Sequence, residues 1–247
     1  MFYKQPRPEQ TLSHAGRAAR KTLPRELTVC VWNWQKSKCT GWAEEFNALA
    51  AAADVFLAQE ARLTPRITTQ LEQTPLYWTH AASFFSLKEQ APTGVATGAC
   101  TAPEQIWFKQ GAREPFLKMP KMTLAVLLPL ETGQKLLAVN VHAINFTGLK
   151  PFEQNLARAA ELLLGFDGPV ILGGDFNAWN QKRRNLLHEL AAAADLTEVS
   201  FSPDTRTRCL GRKVDFLFTR GLKTLAAGVR STNASDHNPL LARLAVQ

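Results

Sequence analysis

From Leu27 onward the chain alternates short apolar runs with longer helical stretches, and two neighbouring runs are joined tightly enough to fold back on each other. Residues 123–130 are followed by Glu131-Thr132-Gly133-Gln134 and then by residues 135–141, a pattern that predicts a hairpin with a four-residue loop. The hairpin strands extend to 122–130 and 135–142. Further strands are expected at 27–32, 55–58, 94–100, 105–108, 170–172, 214–218 and 240–246. Helices are expected at 42–53, 65–73, 151–164 and 181–194. In the third, Leu156, Ala159, Ala160, Leu163 and Leu164 repeat at helical spacing, Pro151 suits the first turn and Gly165 the end. Strands grouped two by two between long helices predict an α/β sandwich, with two sheets face to face and helices outside. A doubly wound parallel sheet is disfavoured by the hairpin and by the lack of a Gly-rich phosphate loop after the first strand.

At 247 residues and 45% hydrophobic content, one core is the simplest organisation, placed here at 27–247. Residues 1–26 are basic and polar, with Arg17, Arg20, Lys21 and Arg25, and lack sustained periodicity; they are expected to form a basic arm on the domain surface. The formal net charge of +8 favours polyanionic partners, either nucleic acid or an anionic membrane surface. None of the four cysteines lies in a CxxC pair, which argues against a zinc knuckle. Cys30 and Cys100 suit buried free thiols, whereas Cys39 and Cys209 fall in loops where a pairing is open. No run approaches the roughly 20 apolar residues needed to cross a bilayer, and the N-terminus has no apolar core of a signal peptide. A soluble, cytoplasmic monomer is expected.

Polar groups collect in, at or just past strands: Val31-Trp32-Asn33, Leu57-Ala58-Gln59-Glu60, Asn140-Val141-His142, Asp175-Phe176-Asn177, Val214-Asp215-Phe216 and Asp236-His237. Hydrolysis of a phosphodiester needs a cation for the phosphoryl oxygens, a base for water, an acid for the leaving oxygen and donors for the phosphate. These residue types supply all of them. Glu60 and Asp236, with amide Asn33 or Asn177, are oxygen ligands that suit Mg²⁺ or Mn²⁺ and do not favour zinc. Singly, each fragment is weak: a Glu ending an apolar strand is usually solvated, and an Asp-x-Asn pair after Gly-Gly is more often a turn than a site. Their order and company point to chemistry.

That ordered set resembles the endonuclease/exonuclease/phosphatase superfamily, from about Thr28 to Val246. Gly-Asp-Phe-Asn at 174–177 and Ser-Asp-His-Asn-Pro-Leu at 235–240 are its most specific pieces, and the longer fragments around them resemble its YafD-like branch. The resemblance implies a four-layer α/β sandwich and a metal-dependent phosphodiesterase. It implies Asn33 and Glu60 at the first metal position, with Asp236 near the metal or at a second. Asp215 would fix the tautomer of His237. Asp175 would position or deprotonate water, Asn177 would hold a phosphoryl oxygen, and His142 would protonate the leaving oxygen or bind phosphate. Either Asp175 or His237 serves as base in such enzymes, and no acidic partner for His142 is evident in the sequence. His14, His80 and His188 are taken as structural or surface residues.

Lys36 and Lys38, Lys182 to Arg184, and Arg206, Arg208, Arg212 and Lys213 flank these motifs. Sharing one rim, they would form a basic collar tracking a phosphate backbone. Lys36, Trp179, Arg183 and Arg212 are therefore candidate substrate contacts. Trp34, Phe146 and Trp179 are candidate stacking platforms, and Lys118 and Lys121 offer a phosphate contact. The leading expectation is a nuclease acting on nucleic acid, DNA first. The rivals are a phosphohydrolase for lipid headgroups or inositol phosphates, and a non-catalytic binding protein. Retention of Glu60, Asp215, Asp236 and His237 opposes the last.

Overall fold

A computed structural model describes residues 3–114 and 119–247. In chain order its elements are β1 (Tyr3–Lys4), β2 (Leu12–Gly16), β3 (Glu26–Asn33), α1 (Trp42–Ala52), β4 (Val55–Arg62), α2 (Pro65–Glu72), β5 (Tyr77–Ser86) and β6 (Ala91–Ala99). Then follow β7 (Gln105–Arg113), β8 (Pro120–Pro129), β9 (Lys135–His142), α3 (Leu149–Leu163), β10 (Val170–Asp175) and α4 (Gln181–Ala193). The chain closes with β11 (Thr197–Glu198), β12 (Arg208–Cys209), β13 (Arg212–Lys213), β14 (Asp215–Arg220), β15 (Leu222–Val229) and β16 (Leu240–Val246).

One sheet runs β1-β5-β6-β4-β3-β16-β15, with β2 also on β5; the other runs β11-β14-β10-β9-β8-β7. The expected hairpin is β8–β9, paired antiparallel from Thr123↔Val141 to Pro129↔Lys135. Each sheet also holds one parallel pair, β3–β4 and β9–β10, whose crossovers are α1 and α3. Side-chain alternation assigns the faces. On β10 and β14, Ile171 and Leu217 enter the core shared by the two sheets, while Val170, Leu172, Phe216 and Phe218 pack with α3 and α4. On the far side, Trp42 and Phe46 of α1 join Trp34, Phe56 and Trp78 in an aromatic cluster. The result is the four-layer sandwich.

Several expectations need correction. Residues 3–26 do not form a separate surface arm. β1 and β2 pair with β5, Ala15 and Leu23 are buried, and the Leu23 amide donates to the Pro129 carbonyl. Their apolar residues are spaced without a period, so no pattern announced them. β5 was unread because it is buried along nearly its whole length and shows no alternation; β15 is an Ala- and Gly-containing edge strand held by its pairing with β16. All four cysteines are free thiols, so Cys39 and Cys209 are unpaired; burial pushes the Cys30 and Cys100 thiols up. Among the described residues, no helix is long and apolar enough to cross a membrane.

Candidate active site

The ends of the central strands come together at one rim. Register sets Asp175 of β10 opposite His142 of β9 on one side and opposite Asp215 of β14 on the other. Gly173 and Gly174 permit this approach. A Cβ on Gly174, at φ +146°, would lie 1.9 Å from the Val141 carbonyl oxygen, and one on Gly173 would press on Leu57 and Val31 of the facing sheet. Glu60 sits in a bulge of β4, where pairing with β6 shifts between Ala58 and Ala61, and its φ is 51°. A bulge re-aims a side chain, here turning Glu60 toward the rim. Buried His80 holds the next residue, its Nε2–H donating to the Ala61 carbonyl at 3.1 Å. Asn33 ends β3, and the loop before β16 brings in Asp236 and His237. Asn33, Glu60, His142, Asp175, Asp236 and His237 line a cleft of about 490 Å³; Asp215 lies behind it.

Asp175 is the centre of the constellation. Its Oδ1 accepts from the Asn177 backbone amide at 3.0 Å. Its Oδ2 accepts from Asn33 Nδ2 at 3.1 Å and faces His142 Nε2 at 3.6 Å and His237 Nε2 at 4.0 Å. Burial raises the Asp175 pKa, the His237 charge lowers it and Asp215 raises it again. His237 Nδ1 donates to Asp215 Oδ2 at 2.8 Å, as expected of an oriented imidazole. Burial would push His237 down, but the carboxylates of Asp215, Asp175 and Asp236 outweigh it and hold the ring protonated, at about 10. The ligand atoms of Asp175, Asp215 and His237 lie within 4.8 Å of one another. The Nδ1–carboxylate bond already accounts for that proximity.

Glu60 and Asp236 supply oxygens on the same cleft. Burial pushes Glu60 up, but the Lys36 and Lys121 charges and the Lys36 hydrogen bond outweigh it and hold the carboxylate below its usual range. The ammonium of Lys36 sits 2.6 Å from Glu60 Oε2, so the carboxylate already faces a cation. The oxygen of Asn33 accepts from the Gln35 amide and, as a carbonyl, keeps a second lone pair. An all-oxygen donor set of this kind fits a hard divalent cation held by Glu60, Asp236 and Asn33.

His142 has a basic neighbour rather than a dedicated acid. Its Nε2 accepts from Lys121 Nζ at 3.1 Å, and Lys121 is paired with Glu114 at 3.2 Å. Burial, then the Lys121 charge, push His142 well down, so the ring is neutral. Lys118 lies outside the described residues.

The basic collar does not assemble as expected. Arg183 is fully buried and donates to the carbonyls of Ile144, Asn177 and Thr147, so it fastens loops instead of meeting substrate. Its spacing in α4 turns it inward, although Lys182 beside it is exposed. Arg206 is buried against Asp204 and Glu198, and Arg212 donates to Gln181 Oε1 away from the cleft. Trp34 is fully buried in the aromatic cluster. Lys36, Lys38 and Lys121 remain on the cleft, with Asn177 and Phe146, while Trp179 is half-buried behind them. Asn177 Nδ2 donates to the Ala143 carbonyl. Sequence reading missed Ser235, whose hydroxyl donates to the Asn33 carbonyl and accepts from the His237 amide, tying the two loops. A Ser two residues before His237 was the available signal, because Ser favours such local backbone bonds.

The profile of the Endonuclease/Exonuclease/phosphatase family matches residues 32–237. A UPF0294 protein of Yersinia pseudotuberculosis is 38% identical over 216 residues, 87% of this chain and 82% of that protein. The human Nocturnin catalytic domain, solved with bound sulfate, superposes with a TM-score of 0.68 at 16% identity, covering 97% of this chain and 99% of that one. ANGEL2, described as a 2′,3′-cyclic phosphatase, gives a TM-score of 0.67 at 17% identity over 89% of this chain and 95% of that one.

Proposed function

The chain belongs to the endonuclease/exonuclease/phosphatase family, with relatives in its UPF0294 (YafD-like) branch, and from that premise we propose that it is a divalent-cation-dependent phosphodiesterase acting on nucleic acid. The observation that carries the reading is the Asp175 carboxylate. Its Oδ2 is ringed by Asn33, His142 and His237, each 3.1 to 4.0 Å away, with ionised Glu60 on the same cleft. Mg²⁺ or Mn²⁺ bound at Glu60, Asp236 and Asn33 would neutralise phosphoryl charge.

The protein's own groups divide the remaining work. Protonated His237, oriented by Asp215, donates its Nε2–H to a phosphoryl oxygen, so it acts as a donor and leaves the base role to Asp175. Burial and the neighbouring Asp215 charge make Asp175 a better proton acceptor than an exposed aspartate. Water gives its proton to Asp175 as its oxygen attacks phosphorus. The leaving oxygen takes a proton from the Lys121 ammonium, which His142 Nε2 positions, and Asn177 holds another phosphoryl oxygen with its remaining N–H. The surplus of 29 Lys+Arg over 21 Asp+Glu supports a polyanionic substrate.

A second reading is favoured by the dispersal of the collar: the cleft keeps only a few lysines and is of small-molecule size. A small phosphodiester, such as a cyclic phosphate or a headgroup ester, would fit it. Supercoiled plasmid and single-stranded DNA and RNA, incubated with Mg²⁺, Mn²⁺ or EDTA beside Glu60→Ala and His237→Ala, test the choice. Metal-dependent cleavage lost in both variants supports the nuclease. Turnover of a cyclic, inositol or lipid phosphodiester with every nucleic acid inert decides for the second reading.

A further inference from the structure

We infer that Phe146 is a stacking platform for a nucleobase next to the scissile phosphate, an inference that rests on the nucleic-acid reading above. The ring is 65% exposed and lines the catalytic cleft. Scattered surface aromatics are ordinary. This one is built into place.

It packs against a cluster of side chains. The rings of Phe146 and Trp179 lie 6.0 Å apart and 31° from parallel. The Arg183 guanidinium sits 4.8 Å from the Trp179 indole and 4.5 Å from the Phe152 ring. That arginine is buried and holds the loop after β9 and the loop after β10 together through Ile144, Thr147 and Asn177. Asn145 Oδ1 accepts both from Trp179 Nε1, at 3.0 Å, and from the Phe146 backbone amide, at 2.8 Å.

Phe146 itself has φ 44°, a left-handed conformation that a bulky residue adopts only where its surroundings impose it. Such strain recurs where a side chain must be presented in a set pose. Here the pose leaves one apolar face open to the cleft, four residues past His142, whose imidazole faces Asp175. A flat ring joined to the phosphate through a sugar matches that arrangement, because every base has a π-face and stacking needs no particular sequence.

The test separates base from backbone. Equilibrium binding is measured by fluorescence anisotropy with Mg²⁺ in the His237→Ala protein, for a short single-stranded DNA and for an abasic-linker strand of equal length and charge. Stacking of one base predicts that adding Phe146→Ala weakens binding of the base-bearing strand roughly 5- to 140-fold and leaves the abasic strand unchanged. Phe146→Trp restores affinity. In the otherwise native enzyme, Phe146→Ala raises KM for the base-bearing strand with kcat retained. Equal effects of Phe146→Ala on both strands, or none on either, overturn the platform while the nuclease reading stands. If the native enzyme cleaves neither DNA nor RNA and His237→Ala binds neither strand, the nucleic-acid reading has failed and the platform goes with it.

Discussion

Gln59 Nε2 donates to Asn140 Oδ1 across 2.8 Å, joining the two sheets directly behind the cleft. Both residues are fully buried. Asn140 also donates to the carbonyls of Ala58 and Ala96, at 3.0 and 2.9 Å. Gln59 immediately precedes Glu60, and Asn140 lies two residues before His142. This polar knot therefore fixes the Glu60 carboxylate of one sheet relative to the His142 imidazole of the other.

Asn140→Ala strips those acceptors of their donor in a dry interior, where each unpaired group costs about 1–3 kcal/mol. The expected loss is about 3 kcal/mol or more by urea denaturation, with cleavage per folded molecule also reduced. A cost below about 1 kcal/mol would show that the knot is dispensable.

Lys36 and Glu60 give a second prediction. The ammonium already sits against Glu60 Oε2, so a divalent cation taking that oxygen would have to compete with it. Calorimetric titration with Mn²⁺ is expected to show several-fold tighter binding to Lys36→Met than to the native protein, and none to Glu60→Gln. Weaker binding to Lys36→Met would mean that the lysine supports the site instead of guarding it.

Asp215 holds His237 protonated, and Asp215→Asn keeps the shape while removing the charge. In metal-free protein, the His237 ring resonances of the native enzyme should remain those of an imidazolium through neutral pH, consistent with a pKa of about 10. The variant should titrate much nearer the ordinary histidine value and lose roughly 10²-fold or more in cleavage. A native His237 that titrates near pH 6 would contradict the donor role given to it.

How far the sequence reaches is clear from these residues. Asn33, His142 and Asp175 were legible because they end strands, and Glu60 and His237 because their motifs stand in a fixed order with those ends; parallel crossovers bring such ends to one edge. The four helices matched to within two residues at each end, since each has an apolar face. Arg183 and Trp34 were misplaced for a common reason. Charge and aromaticity near a motif do not reveal which way a side chain faces, and three-dimensional packing turned both inward. The Lys121 contact to His142 and the Ser235 tie join residues 21 and 202 positions from their partners, which no local pattern encodes.

His80 carries the last prediction, which concerns stability. Its Nε2–H is committed to Ala61, while its Nδ1 is buried without a partner among the described residues. Protonation would place a charged donor where no described group accepts it, and burial accordingly pushes the pKa down to about 4, with the Ala61 bond opposing. In the unfolded chain the same ring titrates near 6.5. The unfolded state therefore binds more protons between those values, and the stability that neutral His80 contributes is present above about pH 6.5 and lost as pH falls toward 4. Between pH 7.5 and 5.5 this one group should lower the unfolding free energy by about 1.3 kcal/mol, well before most carboxylates titrate. Urea melts of the native protein and of His80→Gln at the two pH values measure it. The variant starts less stable but should lack that increment of pH dependence. An identical slope in both proteins would show that His80 already accepts a proton in the folded state, and that the bulge presenting Glu60 is looser than its hydrogen bond implies.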